Sequence, residues 1–320
     1  MHLGPFVAAL VVISTSALVA APASHREGTS LLGRPLVSVA PVGEQLVRLE
    51  ADLASARAAY DHDRANVDAT IWLGRRLAYL GRYRDAIDVY TRGIRRHPDD
   101  PRLYRHRGHR YITLRKFDQA IADLRRASEL IAGKPDEVEP DGAPNKAGIP
   151  RSTLQSNIWY HLGLAYYLSG DFHKALDAYR EGMTVSRVND DMLVATSDWL
   201  YMTLRRLHRD AEARLVLEPI RESMDVIENG AYHARLLMYK GLRTPESVLN
   251  LNTADDVQIA TQGYGVGNWY LVGGDAKKAQ AVFERIVSGN AWTAFGFIAA
   301  EAELKRGLQD LPGMAGERDR

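Results

Sequence analysis

The feature that most restricts this chain is an interval of 34 residues. Gly74 and Gly108 stand that far apart, as do Ala86 and Ala120, and Tyr83 and Phe117. Such a period is too long for a heptad and too short for a domain. It suits a unit of two helices that cannot bury its apolar face alone and must stack on copies of itself. One unit spans 67–100 and the next 101–134; a third, 156–189, carries Gly163, Phe172, Ala175 and Tyr179 in the same relative places, one period plus a 21-residue insertion later. Antiparallel helices cross closely only where Gly or Ala stands in the contact, and large aromatic side chains fill the gaps between pairs. Gly81 and Gly170 fall where a first helix must stop and turn.

These positions resemble the tetratricopeptide repeat. Leu73-Gly74, Leu77, Gly81, Tyr83, Ala86, Tyr90 and Pro98 are similar to its pattern, and Trp159, Leu162-Gly163, Tyr166, Gly170, Phe172, Ala175 and Tyr179 follow it more fully. The resemblance implies an all-α fold, a right-handed superhelical solenoid of helix-turn-helix repeats. Downstream the pattern thins. Trp199, Leu200, Leu204, Ala213 and Leu217 suggest a fourth unit at 194–223, with His208 in place of the turn glycine. A degenerate pair is expected over 231–251, a recovered repeat over 260–290 and a capping helix over 292–306. Upstream, Leu46, Leu49, Leu53, Ala56 and Tyr60 recur at helical spacing and predict an N-terminal half-repeat, so the solenoid is expected over 44–306.

Phe6 to Ala20 is an apolar run too short for a comfortable membrane span, and Ala21-Pro22-Ala23 follows as a small-x-small signal. This predicts a bacterial signal peptide over 1–23, cleaved after Ala23, and a periplasmic or secreted protein with no membrane span after cleavage. The alternative is a retained anchor, since Met1 to Gly4 lacks the usual Lys or Arg. Residues 24–43 mix Pro, Gly, Ser and Val without helical period and are expected to be a flexible tether; 307–320 is expected to be a disordered tail. The absence of cysteine leaves neither a disulfide nor a thiolate nucleophile. With 41 Lys and Arg against 40 Asp and Glu, no global field draws the chain to nucleic acid or an anionic membrane.

In the family that the repeats resemble, the first helix of each pair lines a concave groove. The matching positions are Asp68, Ile71, Arg75 and Ala78, then Arg102, Arg105, His109 and Ile112, then Asn157, Tyr160, Leu164 and Tyr167. Of these, Arg75, Arg102, Arg105, His109, Asn157, Tyr160 and Tyr167 are the expected partner-binding residues. A guanidinium with free forks holds a carboxylate through two parallel hydrogen bonds, and the tyrosines suit apolar side chains of an extended segment. The expected partner is therefore a protein or peptide, acidic in character. Family members that grip a terminal carboxylate use Lys and Asn here, whereas this chain has Arg75 and His109 where Asn would stand. The competing reading is that the arginines only solvate the surface.

Other candidates have plainer readings. His106 and His109 share a helix face as a metal site would need, yet Arg105, Arg107 and Arg110 surround them and no acidic residue lies nearby. Asp61-His62-Asp63 reads as a solvated helix end. Gly263, Gly265 and Gly267 look like a phosphate loop, but the apolar positions around them recur at helical spacing and Gly267 occupies the close-crossing place of its repeat, which favours packing. The insertion, Ala132 to Arg151, is rich in Pro, Gly and acid and predicts a surface loop. It either folds over the groove, with Asp136, Glu137, Glu139 and Asp141 toward Arg102 and Arg105, or is a tolerated excursion. No nucleophile turn or marked carboxylate pair points to catalysis, so the chain is expected not to be an enzyme, with no cofactor and no metal. The expectation is a protein-binding scaffold of the envelope or secreted space. Its alternative is a small-molecule or carbohydrate-binding protein that uses the aromatic cluster around Tyr160 and Tyr167.

Overall fold

A computed structural model of the chain describes residues 24–308 apart from Ala143 and Asn252. The expected signal peptide, 1–23, and nearly all of the expected tail lie outside the described residues. The order is β1 (Ser24–Thr29), β2 (Pro35–Val39), α1 (Gly43–His62), α2 (Val67–Tyr79), α3 (Tyr83–Arg96), α4 (Pro101–Thr113), α5 (Phe117–Ile131), α6 (Leu154–Ser169) and α7 (Phe172–Ser186). Then come α8 (Asp190–Arg206), α9 (Asp210–Leu217), α10 (Gly230–Tyr239), α11 (Pro245–Val248), α12 (Asp256–Val272), α13 (Ala276–Ser288) and α14 (Phe295–Arg306). The fold is an all-α solenoid in which helix pairs stack in chain order from α2–α3 to α12–α13, with α1 packed on α2 and α14 closing on α12 and α13.

Side-chain caps start the helices. Asn66, Asp100, Thr153, Asn189 and Asp255 each accept a backbone N–H in the first turn that follows. Small residues set the crossings. A methyl added at Gly74, Gly108, Gly163 or Gly267 would run into Tyr90, Leu124, Tyr179 or Phe283 of the second helix in the same pair. The turns share one geometry, with positive φ at Gly81, Arg115, Gly170, His208, Gly241 and Gly274. Arg115 and His208 thus hold a conformation that costs a side-chain-bearing residue about 1–2 kcal/mol. Gly263, Gly265 and Gly267 all lie inside α12, and Gly263 and Gly267 face α13, so this segment is packed helix.

The expectation of a flexible tether over 24–43 is corrected. Residues 24–39 form an antiparallel hairpin whose turn is tied by Ser30 Oγ, which accepts from the backbone N–H groups of Leu32 and Arg34. Leu36 and Ser38 point inward while Val37 and Val39 stay outside. The hairpin touches both ends of the solenoid. Glu27 accepts from the Arg84 N–H, the Trp292 indole donates to the Val37 carbonyl at 2.9 Å, and Arg34 donates to the Val287 carbonyl at 2.8 Å.

The C-terminal end turns back over the stack. Arg115, in the second pair, forms a buried ion pair with Glu301 of α14 at 2.8 Å, and Arg306 donates to the Leu168 carbonyl at the end of α6. Arg206 pairs with Glu303, and Arg235 holds Asp198 through two guanidinium nitrogens. Between them Trp199 stacks on Tyr264 and Tyr264 on Phe283, all three essentially without exposure. No helix among the described residues is long and apolar enough to cross a membrane.

Candidate functional site

The first helices of the pairs, α2, α4 and α6, line one face of the stack, and the insertion crosses it. Thr153 caps α6 while Glu139 and Leu154 exchange backbone hydrogen bonds with Ser152 and Glu137, so the return limb is a short ladder that aims Glu139 inward. The loop therefore covers this face instead of projecting into solvent. Glu139 is 9% exposed and lies 2.9 Å from Arg105 Nη2. Asn157 Nδ2 also donates to Glu139. Arg75 donates to the Pro140 carbonyl at 2.6 Å, and Arg76 to that of Gly142 at 3.2 Å. Trp72 packs under both of these guanidiniums.

His106 completes the arrangement. Its Nδ1 lies 3.1 Å from Arg105 Nη1, and a guanidinium can only donate, so Nδ1 accepts. The proton of the neutral ring then sits on Nε2, which faces Glu139 Oε1 at 3.2 Å. Burial, reinforced by Arg105, pushes His106 down to about 4, which keeps it neutral at pH 7. Burial acts in the opposite direction on Glu139, but the Arg105 charge and the His106 hydrogen bond outweigh it and hold the carboxyl at about 2. The result is one carboxylate and one guanidinium in direct contact, with a neutral imidazole against both.

The remaining predicted residues divide. Arg102 is held by Asp100, its own helix cap, and by Asp68 at 2.7 Å. His109 packs between the His161 ring at 4.5 Å and the Phe295 ring at 5.3 Å, where burial lowers both imidazoles, His161 to about 3. The aromatic platform is corrected. Tyr167 is fully buried, accepting from the Tyr264 hydroxyl and donating to Asn268. The Tyr160 hydroxyl is engaged by Tyr232 and by the Trp199 indole. Neither ring is left for a ligand, because α10, α12 and α14 fold over that end of the face. The groove is filled in the same way, by the chain's own loop and α14, as in the reading in which the insertion folds over it. Sequence reasoning missed Phe295, His161 and Arg76; their partners are far away in the sequence and share no period. Among the described residues no three His, Asp or Glu side chains group to hold a metal ion.

Two segments match tetratricopeptide repeat family models, residues 67–110 and 156–185. They cover the first pair with the start of the second, and the third. No curated protein matches the sequence. Among solved structures, the chain is similar to MamA, with 15% identity, a TM-score of 0.42 and coverage of 62% of this chain and 88% of that one. It is similar to a tetratricopeptide repeat protein from Parabacteroides merdae ATCC 43184, with 13% identity, a TM-score of 0.44 and coverage of 78% and 92%. It is also similar to YrrB, described as a TPR protein with an unusual peptide-binding site, with 11% identity, a TM-score of 0.41 and coverage of 77% and 98%.

Proposed function

We propose that this chain is a protein-binding scaffold whose inner face takes an extended acidic segment of a partner in exchange for its own insertion. The observation that carries the reading is the seat of the insertion. Val138 to Gly142 is an extended, acidic, proline-containing stretch, and it is recognised through one side-chain carboxylate and two backbone carbonyls. That is how a protein surface reads a peptide: arginine forks supply specificity for the acid, and backbone contacts supply register. The test is a variant in which 136–149 is replaced by a Gly-Ser linker, titrated with a labelled peptide of residues 136–142. Saturable binding that disappears when Arg105→Glu is added is expected. A linker variant of native helicity that does not bind the peptide would overturn the reading.

The working place we propose is the cell envelope or the secreted space, on the strength of the apolar run and small-residue signal at the start of the sequence. Fractionation followed by N-terminal sequencing should recover a chain that begins at Ser24. Recovery of an unprocessed chain in the cytoplasm would contradict it.

A further inference from the structure

The outer face carries a second charged site. Between α1 and α3, over the back of α2, lies a groove of about 400 Å³. Leu73, Leu77 and Val89 form its floor, and Tyr60 stands in its wall. Five arginines line it, Arg57 and Arg64 from α1, Arg82 at the start of α3, and Arg92 and Arg96 along α3, against three acids, Asp61, Asp85 and Asp88. Arg64 is neutralised by Asp61 at 2.9 Å and Arg82 by Asp85 at 2.5 Å. Arg57, Arg92 and Arg96 pair with no carboxylate among the described residues; Arg96 reaches only the Tyr60 hydroxyl, at 3.4 Å.

The next groove along the stack shows that this is not how the fold must be built. Between α3 and α5, Arg107 of α4 is held by both oxygens of Asp123 at 2.7 Å and by Thr91 at 3.0 Å. There the chain supplies its own anion. In the first groove three arginines are left without a carboxylate partner against one remaining acid, Asp88, and the lining as a whole carries two more positive than negative groups. Burial alone would raise the Tyr60 phenol, yet Arg92 and Arg96 bring it below its ordinary value, the mark of a positive potential in the groove.

We propose that this outer groove binds a phosphomonoester dianion through Arg57, Arg92 and Arg96. A single carboxylate has two oxygens and satisfies one guanidinium fork, whereas a phosphomonoester offers three terminal oxygens and a charge that matches the excess of the lining. The source is either a free phosphate or a phosphorylated side chain of a partner.

The test is calorimetric titration of the full chain with inorganic phosphate, with a phosphoserine peptide, and with the same peptide carrying Asp in place of phosphoserine. Saturable binding of a phosphate probe is expected, with the Asp peptide at least about tenfold weaker. Stronger binding of inorganic phosphate assigns the site to a free anion, and stronger binding of the phosphopeptide assigns it to a partner. Arg92→Gln with Arg96→Gln should remove the binding, while exposed Arg95→Gln and inner-face Arg105→Glu should leave it intact. Circular dichroism checks that each variant is folded. No saturation at millimolar phosphate, equal binding of the Asp peptide, or binding undiminished in the double variant would overturn the proposal.

Discussion

On the inner face, between α2 and α6, the carboxylate of Glu139 meets the Arg105 guanidinium beside a neutral imidazole, with the tilted ring pair of His109 and His161 close by. At the closing end, where α14 returns over the stack, the buried charged groups are guanidinium–carboxylate pairs, Arg115–Glu301 and Arg206–Glu303. The first arrangement contains buried imidazoles held neutral far below their ordinary value, so that mild acid favours the unfolded chain in which they can charge; the second consists of ion pairs alone. One part of the molecule is thus sensitive to mild acid and the other to loss of a pairing partner. The two should fail under different stresses.

Acid should produce the largest effect, and on the inner face. His106 and His161 stand at about 4 and 3 when folded, against an ordinary value of 6.5. Their folded values are depressed, so the unfolded chain binds more protons below pH 6.5. The stability that they support is present above that pH and is lost as pH falls toward their folded values. His161 alone accounts for about 2 kcal/mol between pH 7 and 5. Urea midpoints should drop across this range; a midpoint unchanged at pH 5 would show that the imidazoles are not buried as described.

The second test acts on the closing end. Arg115 stands at the turn position that Gly81 and Gly170 occupy, so Arg115→Gly looks like an improvement by the repeat rule. It relieves about 1–2 kcal/mol of backbone strain but leaves Glu301 buried and unpaired, which costs about 3–5 kcal/mol. A net loss of about 1–4 kcal/mol in chemical denaturation is expected, and a gain would refute the role of the pair. Gly163→Ala probes the repeat itself. Its new methyl would lie 2.6 Å from the Tyr179 ring, and overpacking of this kind costs about 1–3 kcal/mol. The smallest effect should come from His208→Gly. His208 has the same backbone strain as Arg115 but is exposed, and its side chain makes no hydrogen bond or ion pair among the described residues, so a gain of up to about 1 kcal/mol is expected.

What could be read in the sequence follows from which contacts repeat. The stacked helix pairs were legible because each crossing needs a small residue opposite a large one, and Gly74–Tyr90 recurs as Gly163–Tyr179 and Gly267–Phe283. The hairpin was not. Its inward positions are Leu36 and Ser38 while Val37 and Val39 face out, so the apolar alternation that marks a strand points the wrong way. The role of Arg115 was not legible, because Glu301, with which it pairs, lies far along the chain. On the inner face, the repeat positions that the resemblance assigns to the groove put Arg75, Arg105 and Asn157 on one side, and they do converge on the segment around Glu139. The same assignment placed Tyr160 and Tyr167 there, but it carries no information about α10, α12 and α14, which close over them.

The account rests most heavily on the insertion being seated on the inner face through Glu139. Hydrogen exchange of the segment 136–156 measures this directly, because the Glu139 amide donates to Ser152 and the Leu154 amide to Glu137. Both amides should be strongly protected in the intact chain and should lose that protection in Arg105→Ala while the helices keep theirs. Exchange of both at the rate of an open loop in the intact chain would contradict it.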